Sequence, residues 1–128
     1  MNTSIFKAYD IRGRYPKELN EETATQVGEA LGRHWKKGLV VVAHDARLSS
    51  SVLYAAVIEG LTANPALEIR KVDLATTPMF YFLVNDENAT GGVMVTASHN
   101  PKEYNGLKIV GAKAEVMSGK EVLQLLTK

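Results

Sequence analysis

Cysteine is absent from this 128-residue chain, which excludes a disulfide framework and any thiolate metal site; a reducing cytoplasm is the simplest setting for such a composition. An excess of one charge is also missing. Fifteen Lys and Arg against fourteen Asp and Glu leave a formal net charge of +1, so no broad field attracts nucleic acid or an anionic membrane, and any anion site must be local. No apolar run approaches the roughly 18 to 20 residues needed to cross a bilayer, and the opening MNTSIFKAYDIRG has no signal-peptide core. Three scattered histidines, with no H-E-x-x-H motif, argue against a self-contained transition-metal site. What is present is 45% hydrophobic and 23% charged residues, the balance of one ordinary soluble domain with a real core.

The pattern along the chain alternates between two periods. Asn20 is placed to cap a helix in which Glu21 and Glu22 suit the positive end of the dipole, with Ala24, Val27, Leu31 and Trp35 on one face and a stop at Lys36, Lys37 and Gly38. Leu39 to Ala43, LVVVA, is a continuous β-branched run that suits a strand buried on both faces. Ser49 to Ser51 are expected to cap a second helix, with Val52, Leu53, Ala56, Val57, Gly60 and Leu61 turned to the core. IRKVDL alternates as a strand, TTPMFYFLVND opens a short helix on a threonine cap and Pro78, and GVMVTA is a further buried strand. This order predicts an α/β fold with helices over a largely parallel sheet. The segment from Ala97 to Gly106 is too short for a crossover helix, so LKIV is expected to return antiparallel to GVMV, making the sheet mixed. A last helix is expected to start at Ser118.

The break between those two strands, TASHNPKEYNG, holds the candidate chemistry. Pro101 fixes its own φ and biases Asn100 away from the helical region, so the residues after Ser98 are conformationally restricted. A free hydroxyl is a poor nucleophile and needs an adjacent base or a prior modification. His99 follows directly, but neighbours in an extended segment point to opposite sides, and no G-x-S-x-G elbow surrounds the serine, which disfavours hydrolysis. The other available chemistry is phosphoryl carriage, which needs cations; Lys102 and Lys108 lie beyond the serine, and KAYDIRGR supplies Lys7, Arg12 and Arg14. Residue chemistry alone leaves open whether Ser98 reacts or merely serves a turn. His44, Asp45 and Arg47 read as a satisfied turn network and His34 as a helix-end or packing residue.

At the level of motifs, TASHNPKEYNGLKIV (Thr96 to Val110) resembles the phosphoserine loop of the α-D-phosphohexomutase superfamily, and YDIRG (Tyr9 to Gly13) resembles its N-terminal signature. VVVAHDARLSS and TTPMFYF are similar to the same first domain in the same order, and KAYDIRG with EYNGLK is similar to the phosphomannomutase/phosphoglucomutase branch. The resemblance implies a three-layer α/β/α sandwich with a mixed, mostly parallel sheet, and an enzyme moving phosphate between the 1 and 6 positions of a hexose. It implies that Ser98 carries the phosphoryl group and, through it, binds Mg²⁺. Lys108 is then the general acid/base, Arg12 holds phosphate and supports proton transfer, Tyr9 lines the site, and His99 and Asn100 shape the loop and contact substrate or phosphate. Hexose phosphate is the expected substrate and a hexose 1,6-bisphosphate the expected activator. The family's aspartate-rich metal loop, sugar-recognition loop and C-terminal phosphate loop have no counterpart here, since VMSGKE shares only letters with the sugar loop. Residues 1–128 are thus expected to be the first domain of a four-domain enzyme, inactive alone, with the remaining domains as its partners. The competing expectations are a stand-alone binding module for sugar phosphates or a protein, and a structural fragment without activity.

Overall fold

The structure, a computed structural model, describes residues 1–127. Helix α1 (Glu21–Trp35) starts where the Asn20 side chain accepts the Thr23 N–H at 3.0 Å, and it buries Ala24, Val27 and Leu31. It ends at Lys36, whose φ of 69° leaves the helical region and whose N–H donates to Gly32 O at 3.1 Å, and Asn64 Nδ2 donates to the carbonyls of Gly32 and Lys36 at 2.9 and 2.8 Å. Strand β2 (Gly38–His44) is followed by α2 (Ser50–Leu61), β3 (Leu67–Leu74), α3 (Thr77–Asp86), β4 (Gly91–Val95), β5 (Tyr104–Gly111), β6 (Val116–Met117) and α4 (Gly119–Leu126). Thr76 caps α3 through the Met79 N–H with Pro78 in its first turn, and Ser118 and Glu121 form a reciprocal capping box on α4. The letters of VMSGKE therefore build a strand end and a helix start.

Two expectations about α2 are corrected. Val52 is 42% exposed and faces outward, while Leu53, Ala56, Val57, Gly60 and Leu61 are buried as expected. Ser49 occupies the cap position without a side-chain cap bond, because it and Ser50 turn their hydroxyls to Asn105 and Asp45 instead. A first strand, β1 (Ile11–Arg14), had no periodic signature in IRGR, since four residues containing two arginines and a glycine show no apolar alternation.

The sheet order is β1-β5-β4-β2-β3, with β6 also paired to β5. β2 runs parallel to β3 and β4, whereas β5 is antiparallel to β4, β1 and β6, so β5 alone opposes the other strands. The sheet is mixed and mostly parallel in direction, and the return after β4 is antiparallel with Met94 opposite Lys108. Side chains alternate between its two faces. On one face Ile11, Val40, Val42, Val93, Val95, Leu107 and Ile109 pack against α1, α2 and α4; on the other, Val41, Ala43, Met94 and Val110 pack against Phe80 and Val84 of α3. This is a three-layer α/β/α sandwich, in which each fully buried Val, Leu or Phe contributes about 1.5–3 kcal/mol by leaving water.

The contact between α1 and α2 depends on glycine. A Cβ on Gly60 would lie 2.2 Å from the Thr25 carbonyl oxygen, and one on Gly28 would lie 2.5 Å from that of Val57, both rigid backbone atoms. Gly60→Ala is expected to destabilise the domain by about 1–3 kcal/mol through forced helix separation. The urea midpoint measures this, and an unchanged midpoint would show that the helices part freely.

On the second face, α3 and the 3-10 turn at Ala112–Ala114 pack over β2 and β4. The β1–β5 end of that face carries Asp10, Arg12, Arg14, Tyr104 and Lys108 in place of an apolar layer, with Arg12 registered opposite Gly106 and Arg14 opposite Tyr104. That polar half-face lies directly beside the strand end from which the serine loop leaves.

Candidate functional site

Two groups of residues meet at this end of the sheet. The first is built on β1 and β5. A turn closed by the Lys7 N–H to the Asp10 carbonyl (2.8 Å) precedes β1, and the start of α4 braces it, since Gly119 donates its N–H to Lys7 O at 2.8 Å. A Cβ on Gly119 would meet backbone atoms of Lys7 and Asp10 within 2.6 Å, so the glycine permits this close approach. Asp10 is thereby fixed with its side chain only 9% exposed, and its Oδ2 accepts from the Arg12 guanidinium while the Lys108 ammonium lies 3.8 Å away. A carboxylate between two cations lowers their mutual repulsion and holds both in place. Arg12 also donates from its other terminal nitrogen to Asn100 Oδ1 at 2.5 Å, which joins β1 to the serine loop. Its Nε is buried without a hydrogen-bond partner among the described residues, a donor open to an outside acceptor. Arg14 stacks 5.4 Å from the Tyr104 ring centroid, and its hydrogen bond to the Tyr104 hydroxyl raises an already high pKa, so it stays cationic.

The second group is the loop itself. Ser98 has a φ of 54°, in the left-handed region that a non-glycine residue occupies only when its surroundings impose it, at a cost of about 1–2 kcal/mol. The imposing contacts are explicit. Its N–H donates to Thr96 Oγ1 at 3.1 Å, and Thr96 Oγ1 in turn donates to Asp45 Oδ2 at 2.7 Å. Its carbonyl accepts from Arg47 at 2.9 Å, and the same guanidinium reaches the carbonyls of Asn100, Pro101 and Tyr104 at 2.7, 2.8 and 3.0 Å. Asp45 is held by its own N–H to Val95 O at 3.0 Å and by the Ser50 hydroxyl at 2.5 Å. Beneath it, fully buried Asn105 donates to the Ser49 and Ser50 hydroxyls and accepts the Gly106 N–H. Buried polar groups are stable only when so satisfied, and here that satisfaction leaves the Ser98 side chain outward, with no hydrogen bond to its hydroxyl among the described residues.

The structure brings Arg12, Asn100 and Lys108 of the expected set into one connected group through Asp10, and joins that group to the loop bearing Ser98. Tyr9 sits in the Lys7–Asp10 turn at 77% exposure, and His99 is exposed beside Ser98; neither side chain hydrogen-bonds within the described residues. The expected extended backbone at Ser98 is corrected to the left-handed conformation, so a serine–histidine pair cannot be judged by strand alternation; no hydrogen bond joins the two side chains among the described residues. Sequence reading passed over Asp10, Thr96 and Asn105. It also placed Asp45 and Arg47 in a local turn network, whereas their contacts extend more than 50 positions along the chain to the loop. The available signal was the pairing of an acid and an arginine at the end of a buried strand, where open α/β sheets place their ligands.

For Mg²⁺ the fit is partial. No group of three or more His, Asp or Glu side chains converges among the described residues, and Asp10 and Asp45 are engaged by Arg12, Lys108, Ser50, Thr96 and Arg47. A phosphoryl oxygen on Ser98 is the ligand this chain could supply, as Mg²⁺ sites commonly join phosphate to a few carboxylates.

What fold and site define together is an α/β/α domain that presents an exposed serine on a restrained loop, with a carboxylate-linked pair of cations joined to that loop through Asn100. The family model described as "Phosphoglucomutase/phosphomannomutase, alpha/beta/alpha domain I" matches residues 3–127, and the chain belongs to this family as that domain. The relative named "Phosphohexose mutases" from Xanthomonas campestris pv. campestris (strain B100) is 48% identical over 118 residues, covering 92% of this chain and 26% of the relative. A Klebsiella pneumoniae protein named "Phosphomannomutase" is 43% identical over 116 residues, covering 91% of this chain and 73% of its own. Among solved structures, a phosphoglucomutase/phosphomannomutase family protein from Burkholderia thailandensis superposes with a TM-score of 0.87 at 33% identity, over 99% of this chain and 30% of that one. The chain thus spans about a quarter of the length of the Xanthomonas relative.

Proposed function

We propose that this chain is the phosphoserine-bearing domain of an enzyme that interconverts hexose 1-phosphate and hexose 6-phosphate, with Ser98 as the residue phosphorylated. Family membership supports the reaction class, and the observation that carries the reading is a restrained, outward Ser98 on a loop that Arg12 joins through Asn100, with Lys108 linked to Arg12 through Asp10. In the forward half-reaction a sugar hydroxyl attacks the phosphorus of phosphoserine, a new P–O bond to the sugar forms, and the P–Oγ bond of Ser98 breaks. The hydroxyl proton leaves to a base, and Lys108, as an ammonium, protonates the departing Oγ. The bisphosphate then presents its other phosphate, which returns to Ser98 by the same steps in reverse. A hexose 1,6-bisphosphate would prime the serine for the same reason.

Arg12, with a buried Nε that has no partner among the described residues, would take a phosphate oxygen, and Asn100 would orient that guanidinium. Mg²⁺ on a phosphoryl oxygen would supply charge neutralisation, with its other ligands from outside these residues. Tyr9 and His99, both exposed at the rim, would contact the sugar phosphate. Phosphoryl transfer relies mainly on positioning and charge, so restraining the loop rather than supplying a strong base is the chief contribution of this domain. The test is intact mass and peptide mapping of the full-length protein after incubation with glucose 1,6-bisphosphate. One phosphate on the peptide containing Ser98 is expected; no phosphate there, with the protein folded, would refute the phosphoserine reading.

A further inference from the structure

The Arg47 guanidinium makes four hydrogen bonds to backbone carbonyls and an ion pair with Asp45. One terminal nitrogen donates to the carbonyls of Pro101 and Tyr104, the other to those of Ser98 and Asn100, and Nε faces Asp45 Oδ2 at 3.5 Å. The side chain is only 14% exposed. Asp45 itself is fixed between β2 and α2 by Ser50 and is bonded to Thr96, which holds the Ser98 N–H. Both backbone polar groups of Ser98 are therefore tied to the Asp45–Arg47 pair.

We propose that Arg47 is the positioning residue that presents Ser98 for phosphorylation, a reading that rests on the phosphoserine function argued above. Its effect is geometric and electrostatic together. A planar fork with two terminal nitrogens can hold four carbonyls spread over the loop, whereas a lysine ammonium is a point donor with three hydrogens and cannot span them. Carbonyl oxygens pointing at a phosphoryl dianion would repel it, and Arg47 turns those of Ser98, Asn100, Pro101 and Tyr104 toward itself. Its own charge is balanced by Asp45, so it acts through the loop and not as a phosphate ligand.

Arg47→Lys and Arg47→Ala in the full-length protein separate these roles. Phosphorylation of Ser98 by glucose 1,6-bisphosphate is expected to slow by roughly 100-fold in both, the scale of a reacting group displaced by about an ångström. Added guanidinium is expected to recover at least about tenfold in Arg47→Ala, where an equal concentration of ethylammonium does not, because only the planar ion restores the fork. Hydrogen exchange at the Ser98, Asn100 and Tyr104 amides is expected to quicken in Arg47→Lys while the melting temperature stays close to that of the unmodified protein. Arg47→Lys with unchanged exchange at these amides would overturn the proposal, as would a quickened loop that is phosphorylated at the normal rate. If the unmodified protein takes no phosphate, the functional reading fails, and the exchange comparison alone still decides whether Arg47 holds the loop.

Discussion

Ser98→Ala in the full-length protein is expected to lower mutase turnover by at least about 10⁴-fold, the scale of removing an essential nucleophile. The fold is expected to survive the change. The Ser98 hydroxyl has no hydrogen bond to lose among the described residues, and the left-handed backbone at φ 54° is equally strained in serine and alanine. The variant should therefore differ in stability by no more than about 0.5 kcal/mol, as for an ordinary surface substitution. Steady-state turnover and thermal unfolding measured on the same preparation check both halves. Near-normal turnover in Ser98→Ala would transfer the reaction to another group.

Lys108→Met is the second substitution with a large expected effect. The lysine side chain is about one-quarter exposed, and methionine reproduces its apolar stem while removing the ammonium that faces Asp10 at 3.8 Å. Asp10 keeps Arg12 as a partner, so no buried carboxylate is left unpaired. Loss of a general acid is expected to reduce kcat by about 10²–10⁴-fold. KM is expected to change little, because the role proposed for Lys108 is on the departing Oγ and not on the bound sugar. A raised KM with unchanged kcat would make Lys108 a binding cation instead.

How far the sequence discloses this domain follows from which interactions are local. Periodicity and caps are local, and they located α1 through Asn20, α3 through Thr76 and Pro78, and α4 through Ser118. The shortness of the loop after β4 correctly required an antiparallel return. Strand β1 escaped because IRGR is read as charge by any pattern scan and becomes a strand only by pairing with residues 104–107 of β5. The same reason hid the supports of the site. Asp10 has meaning only beside Lys108, nearly a hundred positions away, and Arg47 only beside carbonyls more than fifty positions away. Ser49 and Ser50 were misread as caps because their true acceptor and donor, Asp45 and Asn105, come from two other elements. Motif resemblance supplied the residues proposed to react, while the structure supplied the groups that hold them.

The central claim is that the phosphate on Ser98 is the one delivered to the sugar. The most direct measurement is a chase: full-length protein labelled at Ser98 with radioactive phosphate, freed of excess label, is mixed with unlabelled glucose 1-phosphate and quenched at successive times. The account predicts that label leaves the Ser98 peptide and enters hexose bisphosphate and then hexose monophosphate at a rate no slower than turnover. Label that stays on Ser98 while unlabelled substrate is converted would contradict it.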